Sequence, residues 1–194
     1  HDDIRIIDSM PIPVCKFARS YFSKSFKDIS TYSYCASKKE TYFGLKLHAL
    51  ISTNGFITNF IVTTANVDDR AAVFELVEAN NTLKILGDKG YISNELKTSL
   101  AKEKQVLLIS LKRKNSRHPL EKQFRNALSK VRRRVETSFS QLAEQFNINR
   151  VLAKSKWGLM LRITLKVLAH NLSFILNIIT GNIINMAQIK QLIF

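Results

Sequence analysis

Three acidic residues lie at positions where folding alone gives no reason for a negatively charged side chain. Asp8 follows an isoleucine-rich run, Asp88 lies in the Gly-Asp-Lys-Gly turn after a second apolar run, and Glu136 follows a block of arginines. Aspartate is depleted in strand interiors because a half-buried surface leaves its charge poorly solvated. Acids directed into the interior of a basic chain are suited to holding metal ions against phosphate.

Taken together, the three acids match the needs of phosphodiester chemistry. Two Mg²⁺ ions about 3.5–4 Å apart can activate an attacking oxygen and stabilise a leaving one. Magnesium prefers oxygen ligands and usually takes one or two protein carboxylates, completing its shell with water and substrate phosphate. Asp8, Asp88 and Glu136 are therefore predicted to converge and bind two Mg²⁺ ions, for which Mn²⁺ could substitute.

Each acid also has a purely structural interpretation, which the sequence leaves open. Asp8 could end a strand and bond the Ser9 backbone, and aspartate is common in glycine turns such as the one around Asp88. Glu136 could form an exposed ion pair with Arg132 one helical turn earlier. That pair runs arginine before glutamate, which is the weaker orientation on a helix.

The charge balance indicates a nucleic-acid partner. The chain has 194 residues with 30 Lys and Arg against 15 Asp and Glu, a formal charge of +15. Such an excess attracts phosphates whatever their sequence. Apolar residues make up 45% of the chain, which is typical of a globular domain. Cys15 and Cys35 have no zinc spacing and form no disulfide framework, so two free thiols in a reducing cytosol are predicted.

Basic residues are densest just before Glu136. Few acids are present to neutralise them. This pattern therefore favours a surface that contacts DNA phosphates over a helix face that is merely solvated. The predicted DNA-binding residues are Lys112, Arg113, Lys114, Arg117, Arg132, Arg133 and Arg134.

A second basic region interleaves Lys16, Arg19, Lys24 and Lys27 with aromatic residues at 17, 21, 22 and 26. It could contact DNA, although an aromatic stripe is more often part of a core.

The order of elements indicates a mixed sheet with helices packed on it, an α/β or α+β domain. Residues 4–9 are predicted to be a short strand that Pro11 and Pro13 end, and 14–40 an irregular excursion. His48 is expected to be a packed strand histidine and Asp69 a helix cap. The remaining predicted elements are strands at 42–51, 56–64, 83–86 and 106–111 and helices at 70–79, 93–102, from 119 and from 158. The apolar stretch 159–179 contains charged and amide residues, so a buried helix is expected rather than a membrane span.

Five motifs occur in one order and resemble those of a known family. They are Ile-Asp-Ser, Gly-Leu-Lys-Leu-His, Thr-Ala-Asn-Val-Asp-Asp, Leu-Gly-Asp-Lys-Gly-Tyr and Arg-x-x-Val-Glu-x-x-Phe. This series is similar to the catalytic domain of bacterial insertion-sequence transposases of the DDE type. The resemblance implies an α/β, RNase H-like mixed sheet flanked by helices, with Asp8, Asp88 and Glu136 as the catalytic, metal-binding triad.

The same resemblance implies hydrolysis of a phosphodiester at the element end, followed by attack of the freed 3′-hydroxyl on target DNA. The implied partners are transposon ends, target DNA and a second copy of the chain in a synaptic homodimer. The implied location is the cytoplasm, at the nucleoid, with no membrane partner. Residues 1–178 are expected to form the catalytic domain and 179–194 a helical tail, while the upstream domain that recognises DNA ends is expected to be missing.

The chain departs from one family pattern around the third acid. The positions seven before and seven after Glu136 are Ser129 and Ala143 instead of tyrosine and lysine, and only Arg132 fits. Three alternatives therefore remain: a basic nucleic-acid-binding module with structural acids, an inactive transposase remnant, and an RNase H-like nuclease or resolvase.

Overall fold

In a computed structural model of the chain, the residues described are 3–181, apart from 25, 37, 78–82 and 112–121. The strands are β1 (Ile4–Cys15), β2 (Thr31–Cys35), β3 (Glu40–Ser52), β4 (Ile57–Thr64), β5 (Lys84–Gly87) and β6 (Leu107–Ser110). The helices are α1 (Val73–Leu76), α2 (Asn94–Lys104), α3 (Lys122–Glu144) and α4 (Lys156–Ile179).

The strands form one mixed sheet in the order β2-β3-β1-β5-β6, with β4 also paired to β3. Strand β5 runs parallel to both β1 and β6, whereas β2 and β3 are antiparallel. Parallel neighbours require crossover connections, and α2 provides the one between β5 and β6. The predicted α/β architecture, a mixed sheet with helices, is confirmed.

Contacts divide the chain into two compact units. The first comprises His1–Ser9, His48–Ile61 and Asp68–Ser138. Its core is a cluster of buried side chains from strands and helices, among them Ile7, Leu50, Ile85, Leu100 and Leu108. This apolar cluster includes Ile7 of β1 and Ile85 of β5, and so positions the parts of both strands that adjoin two of the candidate acids.

The second unit comprises Met10–Leu47, Val62–Val67 and Phe139–Phe194. Helix α4 buries one face there, where Leu159, Ile163, Val167, His170 and Phe174 follow one another at spacings of three or four residues. His170 lies on that face with its Nε2 3.2 Å from Gln141 Oε1. Burial lowers the pKa of His170 to about 4, opposed by the Asn171 amide, so the imidazole is neutral at physiological pH.

The expectation for residues 159–179 is only half right, because α4 is buried on one face alone. Leucine and isoleucine side chains line its other side and are exposed. By length and composition this helix could cross a membrane, but core helices of soluble proteins meet the same criterion. Its apolar character is therefore weak evidence for a span.

One predicted strand boundary is wrong, and one strand was not predicted. Strand β1 continues through Pro11 and Pro13 to Cys15. Because β5 pairs only with Ile4–Ile7, the missing proline N–H groups cost no hydrogen bond on that side of β1. Strand β2 lies inside the segment predicted to be irregular, where Thr31–Cys35 pairs with Glu40–Gly44 of β3.

The helix predicted at 70–79 contains α1 over Val73–Leu76, and residues 78–82 lie outside the described part. The predicted Ser93 cap is confirmed, because its Oγ accepts a hydrogen bond from the Leu96 N–H at 3.2 Å.

Candidate functional site

Parallel pairing places Asp8 beside Asp88. In the register of β1 and β5, Ile7 lies opposite Gly87, so Asp8, in the middle of β1, lies beside Asp88, which follows the last residue of β5. Ligands of open α/β sheets bind beyond the carboxyl ends of strands, and Asp88 lies at such an end. The structure thus brings together two of the three acids singled out from the sequence.

Asp8 is held in an environment that disfavours its charge. Burial raises the pKa of its carboxyl group to about 6, with smaller contributions in the same direction from Asp88 and Asp69. The Ser9 N–H donates to Asp8 Oδ1 at 2.9 Å, and this bond and Arg132 oppose the shift. A cation beside Asp8 would relieve the energetic cost of its negative charge.

Asp88 forms an ion pair with an arginine of α3. Arg132 Nη2 lies 3.0 Å from Asp88 Oδ2, and each side chain is about one-third exposed. Asp88 Oδ1 and Arg132 Nε are buried and have no hydrogen-bond partner among the described residues. Arg132 therefore bonds the second candidate acid rather than Glu136, and Asp88 keeps one oxygen available for a further ligand.

Glu136 lies one helical turn after Arg132, on the same side of α3. Its side chain is exposed, beyond the edge of the buried face where the sequence placed it. Within the described ranges, no group of three His, Cys, Asp or Glu side chains is arranged to hold a metal ion. The structure thus pairs Asp8 with Asp88 and does not gather Glu136 into a common cluster with them.

Sequence reasoning did not include Asp69 or His48 among the site residues. His48 is fully buried on β3, and its Nδ1 lies 3.5 Å from Asp69 Oδ1. Asp69 also contributes to the raised pKa of Asp8. The helix-cap role predicted for Asp69 is wrong, since α1 begins after Ala72 without a side-chain cap. Asp69 follows Asp8 by 61 residues, and the sequence around it gives no local sign of this proximity.

Tyr91 is a buried aromatic residue close to these acids. It is 1% exposed and its hydroxyl has no hydrogen-bond partner among the described residues. Burial raises the pKa of Tyr91, and Asp69, Asp8 and Asp88 add to the rise. Gly87 permits this packing because a Cβ there would lie 2.9 Å from Tyr91 Cβ. The glycine before Asp88 is thus explained by close contact with an aromatic ring.

The predicted DNA-binding residues divide into two groups. Lys112, Arg113, Lys114 and Arg117 lie outside the described residues. Arg132 is bonded to Asp88, whereas Arg133 and Arg134 are exposed on α3.

Among solved structures, the chain resembles that of a piggyBac transposase synaptic complex with hairpin DNA, determined by cryo-electron microscopy. The TM-score is 0.56 at 12% identity, and the alignment covers 87% of this chain and 46% of the piggyBac chain. This likeness supports an RNase H-like transposase fold, over about half of the piggyBac chain's length. No curated protein sequence matches significantly. The sequence model of the transposase DDE domain matches residues 1–172. The chain therefore belongs to the transposase DDE domain family.

Proposed function

We propose that this chain is the catalytic domain of an insertion-sequence transposase, which cleaves DNA and transfers the freed strand to a target. Asp8, Asp88 and Glu136 supply the catalytic carboxylates. The observation that carries the proposal is the adjacency of Asp8 and Asp88 at the point where the parallel pairing of β1 with β5 ends. Residues 1–178 form this domain, 179–194 form its tail, and the protein acts in the cytoplasm at the nucleoid.

The paired aspartates are suited to divalent metal ions. Both offer hard oxygen atoms, Asp88 Oδ1 has no partner among the described residues, and the charge on Asp8 is poorly compensated. Magnesium needs only one or two protein carboxylates. When bound, two Mg²⁺ or Mn²⁺ ions would supply an activated oxygen nucleophile and stabilise the leaving oxygen. Glu136 is assigned as the third ligand from its position one turn after Arg132.

Arg132 has a distinct role in this proposal. Without metal, its guanidinium neutralises Asp88 and holds the carboxylate in place at 3.0 Å. Guanidinium groups also bind phosphate through paired hydrogen bonds. Arg132 would therefore be available to bind a DNA phosphate if a cation neutralised Asp88 in its place. The exposed Arg133 and Arg134, together with the basic residues at 112–117, provide further phosphate contacts.

Metal binding gives the direct test of this assignment. We expect Mg²⁺ or Mn²⁺ to raise the melting temperature of the wild-type protein, because an ion at 100 times its Kd adds about 2.7 kcal/mol of stability. Differential scanning fluorimetry with and without EDTA measures the shift. Asp88→Asn should abolish most of it, whereas Glu95→Gln, at an exposed acid on α2, should keep it. An equal rise in wild type and Asp88→Asn would leave a basic DNA-binding module as the better interpretation.

The proposed synaptic homodimer has a candidate surface on α4. Leu161, Leu165, Leu168, Leu172, Ile175 and Ile179 are exposed and follow one another at alternating spacings of four and three. This is the heptad pattern by which two helices pack along a common seam. A standard interface buries about 800 Å² of each partner, and neighbouring apolar side chains of α4, among them Met160, Leu176 and Ile178, are also exposed.

The charges of α4 are directed away from this seam. Arg162 Nη1 donates to the carbonyl oxygens of Val151 and Leu152, and Lys166 Nζ donates to that of Phe146. No acid occurs in the helix, so two copies would meet without buried like charges. A second copy of the chain is therefore the proposed occupant of the exposed α4 face.

Replacing Leu165 and Leu172 with glutamine is expected to convert a dimer into a monomer, because two polar amides would interrupt the apolar seam. Light scattering after size-exclusion chromatography at tens of micromolar protein measures the change, and circular dichroism checks the helix. Lys156→Gln, at an exposed residue of the same helix, should remain dimeric. A monomeric wild type, or wild type that instead partitions onto lipid vesicles, contradicts this assignment.

A further inference from the structure

The segment from Lys16 to Tyr34 presents aromatic rings to solvent. Phe17 is 53% exposed, Tyr21 and Phe22 are each 79% exposed, and Tyr32 is 48% exposed. These values are far from those of core aromatics, which bury most of their area. The core interpretation of the aromatic stripe is therefore wrong for Phe17, Tyr21 and Phe22. We call these three residues, together with Tyr32, the aromatic surface.

Cations surround the aromatic surface. Lys16, Arg19, Lys24 and Lys27 are all exposed, and the only acid between residues 16 and 34 is Asp28. Among the described residues, none of the four cations has a carboxylate within 4.0 Å. Rings and unpaired cations that alternate in this way suit a ligand with flat apolar faces and a repeating negative charge.

Part of the surface is held rigid by hydrogen bonds. The Tyr32 hydroxyl donates to Ser20 Oγ at 3.1 Å, and Ser20 Oγ donates to the Phe17 carbonyl oxygen at 2.6 Å. The Phe17 and Tyr32 rings meet edge to face with centroids 5.9 Å apart, and Tyr32 also packs against Phe43. Phe17 is thus fixed to β2 before any ligand arrives, which lowers the entropic cost of binding.

Phe17 and Lys16 also line an open cleft of about 780 Å³, which lies within the size range of ligand pockets. The cleft is lined as well by Phe26, Tyr42 and Arg150. Asn149, another lining residue, has a buried Oδ1 without a hydrogen-bond partner among the described residues. An amide oxygen of this kind can accept a hydrogen bond from the edge of a base.

We propose that the aromatic surface and the adjoining cleft bind unpaired DNA bases. Phe17, Tyr21, Phe22 and Tyr32 stack on base faces, while the four cations hold the phosphates between them. Duplex DNA hides its base faces and offers only groove edges to side chains. The site should therefore prefer single strands. This inference rests on the proposed function, because a transposase must handle DNA ends, but it concerns binding and not cleavage.

The test compares single-stranded and duplex DNA of the same sequence. Fluorescence anisotropy with a labelled 20-nucleotide strand in EDTA measures binding by the full chain without cleavage. The double variant Phe17→Leu/Phe22→Leu keeps apolar bulk and removes both rings. We expect it to bind the single strand about tenfold more weakly or worse, and to bind the duplex within threefold of wild type.

Phe17→Tyr/Phe22→Tyr is the matched control, because it retains both rings and should restore wild-type affinity. Equal losses on both forms of DNA, or no loss on the single strand, would overturn the inference, as would tighter binding to RNA of the same sequence. Base binding is measured in EDTA, whereas cleavage is measured with a divalent metal ion present. The proposed function and the binding of unpaired bases are therefore tested by separate measurements.

Discussion

Replacing Glu136 with glutamine is expected to lower metal-dependent DNA cleavage by about 10³-fold. An amide oxygen is neutral and binds Mg²⁺ poorly, and metal stabilisation of the transition state contributes several kcal/mol, each 1.36 kcal/mol being tenfold in rate. The side chain is exposed on α3 and keeps its size on substitution, so folding should be unaffected. The loss would then report on chemistry alone.

Nicking of supercoiled plasmid and hydrolysis of an end-labelled oligonucleotide in Mg²⁺ measure this loss. Salt-dependent DNA binding should stay nearly constant, because the substitution removes no positive charge. Glu144→Gln is the control, since Glu144 is also exposed and lies on the same helix. Undiminished cleavage by Glu136→Gln would remove this residue from the site, and loss of DNA binding alone would favour the binding-module alternative.

Asp8→Asn should make the metal-free protein more stable while it abolishes cleavage. Burial raises the pKa of Asp8 from 3.8 to about 6. At pH 7.5 the folded protein therefore carries a charge that costs up to about 3 kcal/mol relative to the unfolded chain. The neutral amide avoids that cost, and the structure offers it the same Ser9 N–H donor.

The sign of the pH dependence follows from the direction of that shift. The destabilisation caused by the charge of Asp8 is fully present above pH 6 and declines as the carboxyl group is protonated. It vanishes below pH 3.8, the pKa of this group in the unfolded chain. Thermal melts in EDTA should therefore show a higher melting temperature for Asp8→Asn at pH 7.5 and a much smaller difference near pH 4. Asp28→Asn, at an exposed acid, should change neither value. A less stable Asp8→Asn at pH 7.5 would mean that Arg132 and Ser9 outweigh the burial.

Higher stability of Asp8→Asn together with loss of cleavage would identify Asp8 as a functional residue. A carboxylate kept at an energetic cost is typical of a functional position, where stability is given up for chemistry. If Mg²⁺ also stabilises wild type but not Asp8→Asn, the same carboxylate would account for both the instability and the metal affinity.

The sequence by itself determined the features that depend on neighbouring residues. The β3–β4 hairpin follows from two β-branched runs around an Asn-Gly turn, and the start of α2 follows from the Ser93 cap. Asp8 and Asp88 stood out because each follows an apolar run, and the family motifs indicated the fold. These signals are local, so they can be read without knowing which segments meet.

Only the tertiary structure decided which distant groups meet. Arg132 bonds Asp88 instead of Glu136, and His48 and Asp69 lie together beside Asp8, because the sheet order brings separate strands to one edge. The aromatic rings at 17, 21 and 22 turned out to be exposed, and α4 to be apolar on a face its own unit leaves open. Periodicity gives the faces of an element, but which face is covered depends on packing between residues far apart in the chain.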